Sequence, residues 1–221
     1  MPAPEHYFSE NPGGELVPRE IRVRLAGRDL GVTTASGVFS PERLDVGTSV
    51  LLANVPAPPP GGNLLDLGCG WGPVAISLAL ESPRATVWAV DVNERSLDLT
   101  RRNAAKLGLT NINAVRPDDV PADVLFTTIW SNPPIRVGKN ELHAMLLHWL
   151  PRLEPGSDAW LVVQRNLGSD SLQRWLQAEL PRDFAVLRAA TNKGYRVLRC
   201  RRRSSLGDTS EISVPIDVIR G

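Results

Sequence analysis

Three short stretches of this chain carry residue types that suit chemistry better than packing. Asp66-Leu67-Gly68-Cys69-Gly70-Trp71-Gly72 sets an acid ahead of three alternating glycines. At a strand-to-helix turn, glycines let the backbone approach a ligand closely and the next helix offers its positive end, so an anionic group or a ribose can be cradled there. The same turn also serves an inert α/β domain. The acid ahead of the glycines is not required by a dinucleotide site, whereas a ligand with a cationic amine would use it. Asp91 follows 25 residues beyond Asp66. An acid about 20 residues past such glycines can accept from two vicinal ribose hydroxyls. Asp91 also reads as an ordinary helix-start acid, with Asn93 as a cap. Asp118 and Asp119 can meet an adenine amino group or stand in solvent. The most specific stretch is Ser131-Asn132-Pro133-Pro134-Ile135-Arg136. Two prolines stiffen it and push Asn132 into extended backbone, so that the Asn132 side-chain oxygen and the Pro133 carbonyl form a fixed pair of acceptors for one planar amine. Its plain alternative is a proline turn that ends a strand.

These stretches need elements to hold them. Residues 21–34 alternate as two short strands around Ala26-Gly27. Ser40-Pro41-Glu42 has the form of a helix start, and 50–55 continue helically. Pro56–Gly62, with four prolines and two glycines, cannot sustain a helix or a central strand and marks a boundary. Beyond it, apolar runs at 63–67, 86–92, 112–115, 124–129, 159–164, 184–190 and 195–202 alternate with helical patterns at 74–80, 97–107, 140–153 and 169–180. That rhythm predicts right-handed crossovers: an α/β, Rossmann-like, seven-stranded and mostly parallel sheet. The short connection at 191–194 permits only a hairpin, so the last strand is expected to be antiparallel, at an edge. The expected division is 1–60 as an N-terminal β/α extension covering the site, 61–203 as the catalytic domain and 204–221 as a tail.

The 221 residues hold 25 Lys+Arg against 24 Asp+Glu, so any polyanion must be met by a local patch. Lys193, Arg196, Arg199 and Arg201–Arg203 form one cluster, and Arg19, Arg22, Arg24 and Arg28 another; each is read as RNA contact or as a solvated face. Cys69 and Cys200 are the only cysteines. They and the three histidines lack metal-ligand spacing, so no metal is expected. No leader or membrane span is recognised, and a cytoplasmic location is expected. Of the six tryptophans five read as core or rim, and Trp71, within the glycine loop, as a residue that can face a ligand.

Taken together, DLGCGWG, the acid of AVDVNE and SNPPIRVGK resemble the small-domain class I S-adenosylmethionine-dependent methyltransferases, the family that includes the guanine-N2 methyltransferases of small-subunit ribosomal RNA. HYFSENP (6–12), TASGVFSPERLDVGT (34–48) and KGYRV (193–197) resemble segments of its single-domain members. The resemblance implies S-adenosylmethionine as cofactor. Asp66, Gly68, Cys69, Gly70 and Gly72 would hold its methionine end, Asp91 and Val92 its ribose, and Asp118 or Asp119 its adenine. Asn132, Pro133 and Pro134 would hold the target amine beside the cofactor, with Phe39, Ser40, Ile135, Arg136 and Lys139 around the substrate and Arg201, Arg202 and Arg203 on the RNA.

Two departures qualify the transfer. Ile135 stands where many amine-methylating relatives have a stacking aromatic, and the chain reads as the catalytic half alone of the larger rRNA enzymes. The expected partner is ribosomal RNA or the small ribosomal subunit, with the enzyme a monomer or homodimer. Rival readings are transfer to a protein glutamine or small amine, a non-catalytic cofactor- or RNA-binding module, and a nicotinamide oxidoreductase.

Overall fold

The computed structural model describes residues 17–204, so the 6–12 stretch, His6 and the tail past 204 lie outside the described residues. At the first hairpin Ala26 (φ 46°) and Gly27 (φ 73°) are both left-handed. That is the two-residue turn whose twist suits antiparallel strands, and it folds β1 (Pro18–Leu25) directly onto β2 (Arg28–Ala35).

A nine-residue helix, α1 (Val46–Asn54), precedes the proline-rich linker. It starts later than the Ser40-Pro41-Glu42 pattern suggests. Ser40 has φ 48° and its hydroxyl donates to the Arg43 carbonyl at 2.8 Å, so it shapes a turn, while Asp45 caps the helix by accepting from the Thr48 N–H at 3.1 Å.

The main sheet then follows as β3 (Asn63–Leu67), α2 (Pro73–Glu81), β4 (Thr86–Val90), α3 (Glu94–Lys106), β5 (Ile112–Val115), β6 (Phe126–Ser131), α4 (Lys139–Trp149), β7 (Leu153–Gln164), α5 (Ser169–Glu179), β8 (Phe184–Asn192) and β9 (Tyr195–Arg202). Its spatial order is β5-β4-β3-β6-β7-β9-β8. β9 is antiparallel to both neighbours, as expected, but it is not an edge. It inserts between β7 and β8, leaving β8 outermost. The turn that permits this is Lys193 (φ 47°) and Gly194 (φ 79°), again a left-handed pair, which fixes Tyr195 as the first residue of β9 opposite Gln164 of β7.

Alternating side chains send Leu65, Ile129 and Leu161 to one face of the sheet, under α4 and α5. Leu64, Trp130 and Val162 go to the other, under α1, α2 and α3. The hairpin does not stand apart. Val23, Leu25 and Val32 close a third core with Trp71, Ile76 and Leu99, so the glycine-loop tryptophan is an anchor for the hairpin. Buried Asn103 of α3 completes the junction: its Oδ1 accepts from the Thr33 N–H at 2.7 Å, and its amide donates to the carbonyls of Thr33 at 2.9 Å and Trp71 at 3.0 Å. Asn103→Ala strands three backbone groups in a dry junction. At about 1–3 kcal/mol per unsatisfied group it should lower the unfolding free energy by roughly 3 kcal/mol or more, read by urea denaturation; a loss under about 1 kcal/mol would show the hairpin to be held by apolar contact alone.

Candidate active site

The C-terminal ends of β3, β4, β6 and β7 surround a cavity of about 690 Å³, located where the strand order reverses and ligands of open α/β sheets bind. Phe39, Gly68, Gly70, Asp91, Val92, Asp118, Asn132, Pro133, Pro134 and Ile135 line it. Asp66, Cys69, Gly72, Asp119, Ser40, Lys139 and Arg201–Arg203 do not. The side chain of Arg136 is outside the described residues.

The glycine loop works differently from the anion cradle its spacing allows. The N–H groups of Gly68 and Cys69 both donate to the Val90 carbonyl (2.8 and 3.1 Å), Gly70 N–H to Asp91 Oδ2 (2.9 Å) and Gly72 N–H to the Cys69 carbonyl (2.9 Å). The start of α2 is answered from inside as well, since Asp66 Oδ2 accepts from the Ala75 N–H at 2.9 Å. A pyrophosphate would find these donors already engaged, which removes the physical basis of a nicotinamide dinucleotide site. Asp66, 1% exposed, is thus a buried brace for the helix start, not a group facing a ligand. Burial, added to by the nearby Asp91 charge and opposed by the Ala75 N–H, pushes its carboxyl up to about 8. Cys69 is likewise buried; desolvation, Asp91 and Asp66 push its thiol well above the usual range, which disfavours the thiolate.

Asp91 stands half-buried at the end of β4. One oxygen accepts from Gly70 N–H and the other from Asn93 N–H, both at 2.9 Å. The Val92 N–H bonds the same carboxylate, which leaves acceptor capacity for a hydroxyl donor. Thr100 of α3, which the sequence patterns did not single out, supports the loop from behind by donating to the Gly70 carbonyl at 3.0 Å. A Cβ on Gly72 would lie 2.9 Å from the Thr100 hydroxyl, so that position requires glycine for space as well as for its φ of 94°.

Asn132 is held in a fixed orientation at the cavity wall. Its Nδ2 donates to Asp45 Oδ2 at 2.8 Å and to Thr48 Oγ1 at 3.1 Å. Both amide hydrogens are therefore engaged with the start of α1, and the group Asn132 retains for a ligand is its Oδ1 acceptor. Asp45, absent from the sequence-derived set, lines the cavity and serves α1 and Asn132 with one carboxylate. Its signal was available as the last acid before a helical run, masked by the stronger-looking Ser40-Pro41 pattern. The Pro133 carbonyl, expected to lack local competition, accepts from the Ile135 N–H at 2.9 Å, so one of its two lone pairs remains.

Four of the late arginines are engaged in ion pairs within the fold. Arg199 and Arg201 share Asp158 at 2.7 and 2.9 Å, Arg202 pairs with Asp183 at 3.0 Å and Arg196 with Asp170. Arg202 also donates to the carbonyls of Pro151 and Leu153. These pairs tie β9 to β7, to the turn before β8 and to α5. Among the described residues no group of three His, Cys, Asp or Glu is placed to hold a metal ion, and no helix is long and apolar enough to cross a membrane.

Residues 29–199 match the family model for the methyltransferase small domain. The chain belongs to the methyltransferase small domain family. Family membership bears out the resemblance drawn from the motifs and supports S-adenosylmethionine as the methyl donor. The Bacillus subtilis protein YbxB, itself uncharacterized, is 34% identical over 201 residues, covering 90% of this chain and 98% of that protein. The ribosomal RNA small subunit methyltransferase C of Aeromonas hydrophila is 40% identical over 118 residues, 52% of this chain; the match spans only 33% of that relative's length. Among solved structures, a Thermus thermophilus 16S rRNA N2 G1207 methyltransferase in complex with AdoMet and guanosine shares the fold with a TM-score of 0.68 at 22% identity, over 86% of this chain and 52% of that one.

An acid whose folded-state pKa is raised removes stability as pH climbs from its unfolded value of about 4 through the folded value of about 8, and removes no more above it. Asp66→Asn keeps the acceptor and cannot ionise. Its advantage in unfolding free energy over the parent protein should widen between about pH 4 and 8 and then level off; a gap constant across that window contradicts a buried, neutral Asp66.

Proposed function

We propose that this chain is an S-adenosylmethionine-dependent N-methyltransferase acting on the exocyclic amine of a guanine in small-subunit ribosomal RNA. The observation that carries the chemistry is the Asn132 amide, whose hydrogens are held by Asp45 and Thr48 and whose oxygen is left to accept. With the remaining lone pair of the Pro133 carbonyl it can take both hydrogens of an amino group and so aim the nitrogen lone pair, which is rate acceleration by orientation. An acidic or hydroxyl acceptor would not use two converging carbonyls.

The residues present fit the cofactor. Asp91 keeps acceptor capacity for a ribose hydroxyl, and Val92, Pro117 and Asp118 form a partly apolar wall with one acceptor beside it, suited to an amino-bearing heterocycle. The internally bonded glycine loop suits a ligand that carries no phosphate. Bound S-adenosylmethionine supplies an electrophilic methyl group on a sulfonium. The chain's own residues bind, orient and exclude water around it.

For the RNA, the matches to rRNA small subunit methyltransferases support the substrate class. With the β9 arginines tied to Asp158, Asp170 and Asp183, the hairpin becomes the better RNA-facing surface. Arg22 and Arg28 are both exposed there.

The direct test is tritiated-methyl transfer offered to naked small-subunit rRNA, assembled small subunits and total protein in parallel. RNA should be labelled. Asn132→Ala should keep cofactor affinity within a few-fold and slow transfer by on the order of 10²–10³, the scale for loss of one preorganised polar group. Label confined to protein or small amines would overturn the rRNA assignment, and undiminished transfer by Asn132→Ala would overturn the role of the amide.

A further inference from the structure

Ile135 occupies the place where an aromatic residue would give the acceptor a stacking face, and an isoleucine cannot supply one. The cavity nevertheless holds an aromatic ring beside Asn132, delivered from the far end of the sequence. Tyr195 opens β9 directly after the left-handed Lys193-Gly194 turn. A Cβ built on Gly47 would touch three atoms at once: Asp45 Oδ2 at 2.9 Å, Tyr195 Cε1 at 3.0 Å and Asn132 Nδ2 at 3.2 Å. The absent side chain of buried Gly47 is thus what lets the Tyr195 ring and the Asn132 amide converge at the start of α1. Across the β7–β9 ladder Tyr195 is the direct register partner of Gln164, and directly opposed residues of an antiparallel pair project to the same face. Both line the cavity, as does Val162 two residues earlier on that face. The ring is half-buried rather than sealed in the core.

We infer that Tyr195 and Gln164 form the subsite for the acceptor base, Tyr195 as its stacking face and Gln164 as the reader of its ring edge. The inference rests on the guanine-amine reading above and deepens it by naming the residues that would select a planar heteroaromatic acceptor. A flipped nucleobase is recognised by stacking and by hydrogen bonds to its Watson–Crick edge. On guanine, the amine held at Asn132 is followed along that edge by an N–H donor and then a carbonyl acceptor. A primary amide offers the complementary acceptor and donor in one plane, so Gln164 can satisfy both positions at once. An aliphatic amine or a glutamine side chain would leave the Tyr195 face without a stacking partner and the Gln164 amide without its pair of partners. This assignment also accounts for the tolerance of Ile135, because the aromatic function is moved from the Asn-Pro-Pro loop to the neighbouring strand.

The test measures kcat/KM for methylation of rRNA alongside the calorimetric Kd for S-adenosylmethionine in Tyr195→Leu, Tyr195→Phe and Gln164→Ala. Loss of base stacking should lower kcat/KM of Tyr195→Leu by about ten- to a hundredfold, with cofactor Kd within about threefold of the parent. Tyr195→Phe, which keeps the ring, should recover most of that loss. Gln164→Ala should fall by a similar factor, again with cofactor binding preserved. Three outcomes overturn the subsite while leaving the proposed function standing: RNA methylation by Tyr195→Leu and Gln164→Ala at the parental rate, equal impairment of the Leu and Phe variants, or parallel loss of cofactor affinity, which would make the ring a wall of the cofactor site. If the parent protein labels protein or aliphatic amines and no RNA, the subsite and the function fall together.

Discussion

One amide holds the two parts of this molecule in a working relation. The Nδ2 of Asn132, at the end of β6, is gripped by Asp45 and Thr48 at the start of α1, so the segment before the proline-rich linker fixes the orientation of a side chain placed by the sheet after it. A free asparagine amide turns readily about its last torsion and offers donors and acceptor alike. Engaging both donors makes it an acceptor only. The same carboxylate caps α1, so the helix cannot be displaced without releasing the amide.

Around that point the fold is arranged for rigidity. Asn103, Trp71 and Thr100 tie the hairpin, the glycine loop and α3 into one unit, and Asp66 braces the start of α2. The consequence is a loop in which the N–H groups of Gly68, Cys69, Gly70 and Gly72 are already paired. Its glycines therefore serve close packing and left-handed backbone rather than anion capture, and the distinction between a phosphate-binding turn and this one lies in hydrogen-bond partners, not in residue spacing.

Much of this was legible in the sequence. The strand–helix alternation, the glycine loop, Asp91 and the Asn-Pro-Pro turn all announced themselves, because each is a local pattern whose meaning depends on neighbours a few residues away. What escaped depends on distant partners. Asp45 and Tyr195 gain their roles only when α1 and β9 are laid beside β6, and no period or motif encodes that approach; Gly47, the residue that permits it, is one glycine among 18. The insertion of β9 between β7 and β8 was hidden for the same reason, since a short connection specifies a hairpin without saying which of its strands lies outermost. The arginine cluster has partners that its own stretch of sequence does not show. Its charges look like a polyanion surface until Asp158, Asp170 and Asp183, from three other stretches of chain, are brought alongside.

The account stands or falls on whether Asp45 acts through Asn132. A double-mutant cycle of Asp45→Ala and Asn132→Ala on the single-turnover rate of methyl transfer, with S-adenosylmethionine saturating, measures this directly. Asp45→Ala alone should slow transfer by about tenfold or more, and in the Asn132→Ala background it should slow it hardly further, because the amide it orients is gone. Equal effects of Asp45→Ala in both backgrounds would contradict the account and reduce Asp45 to a helix cap.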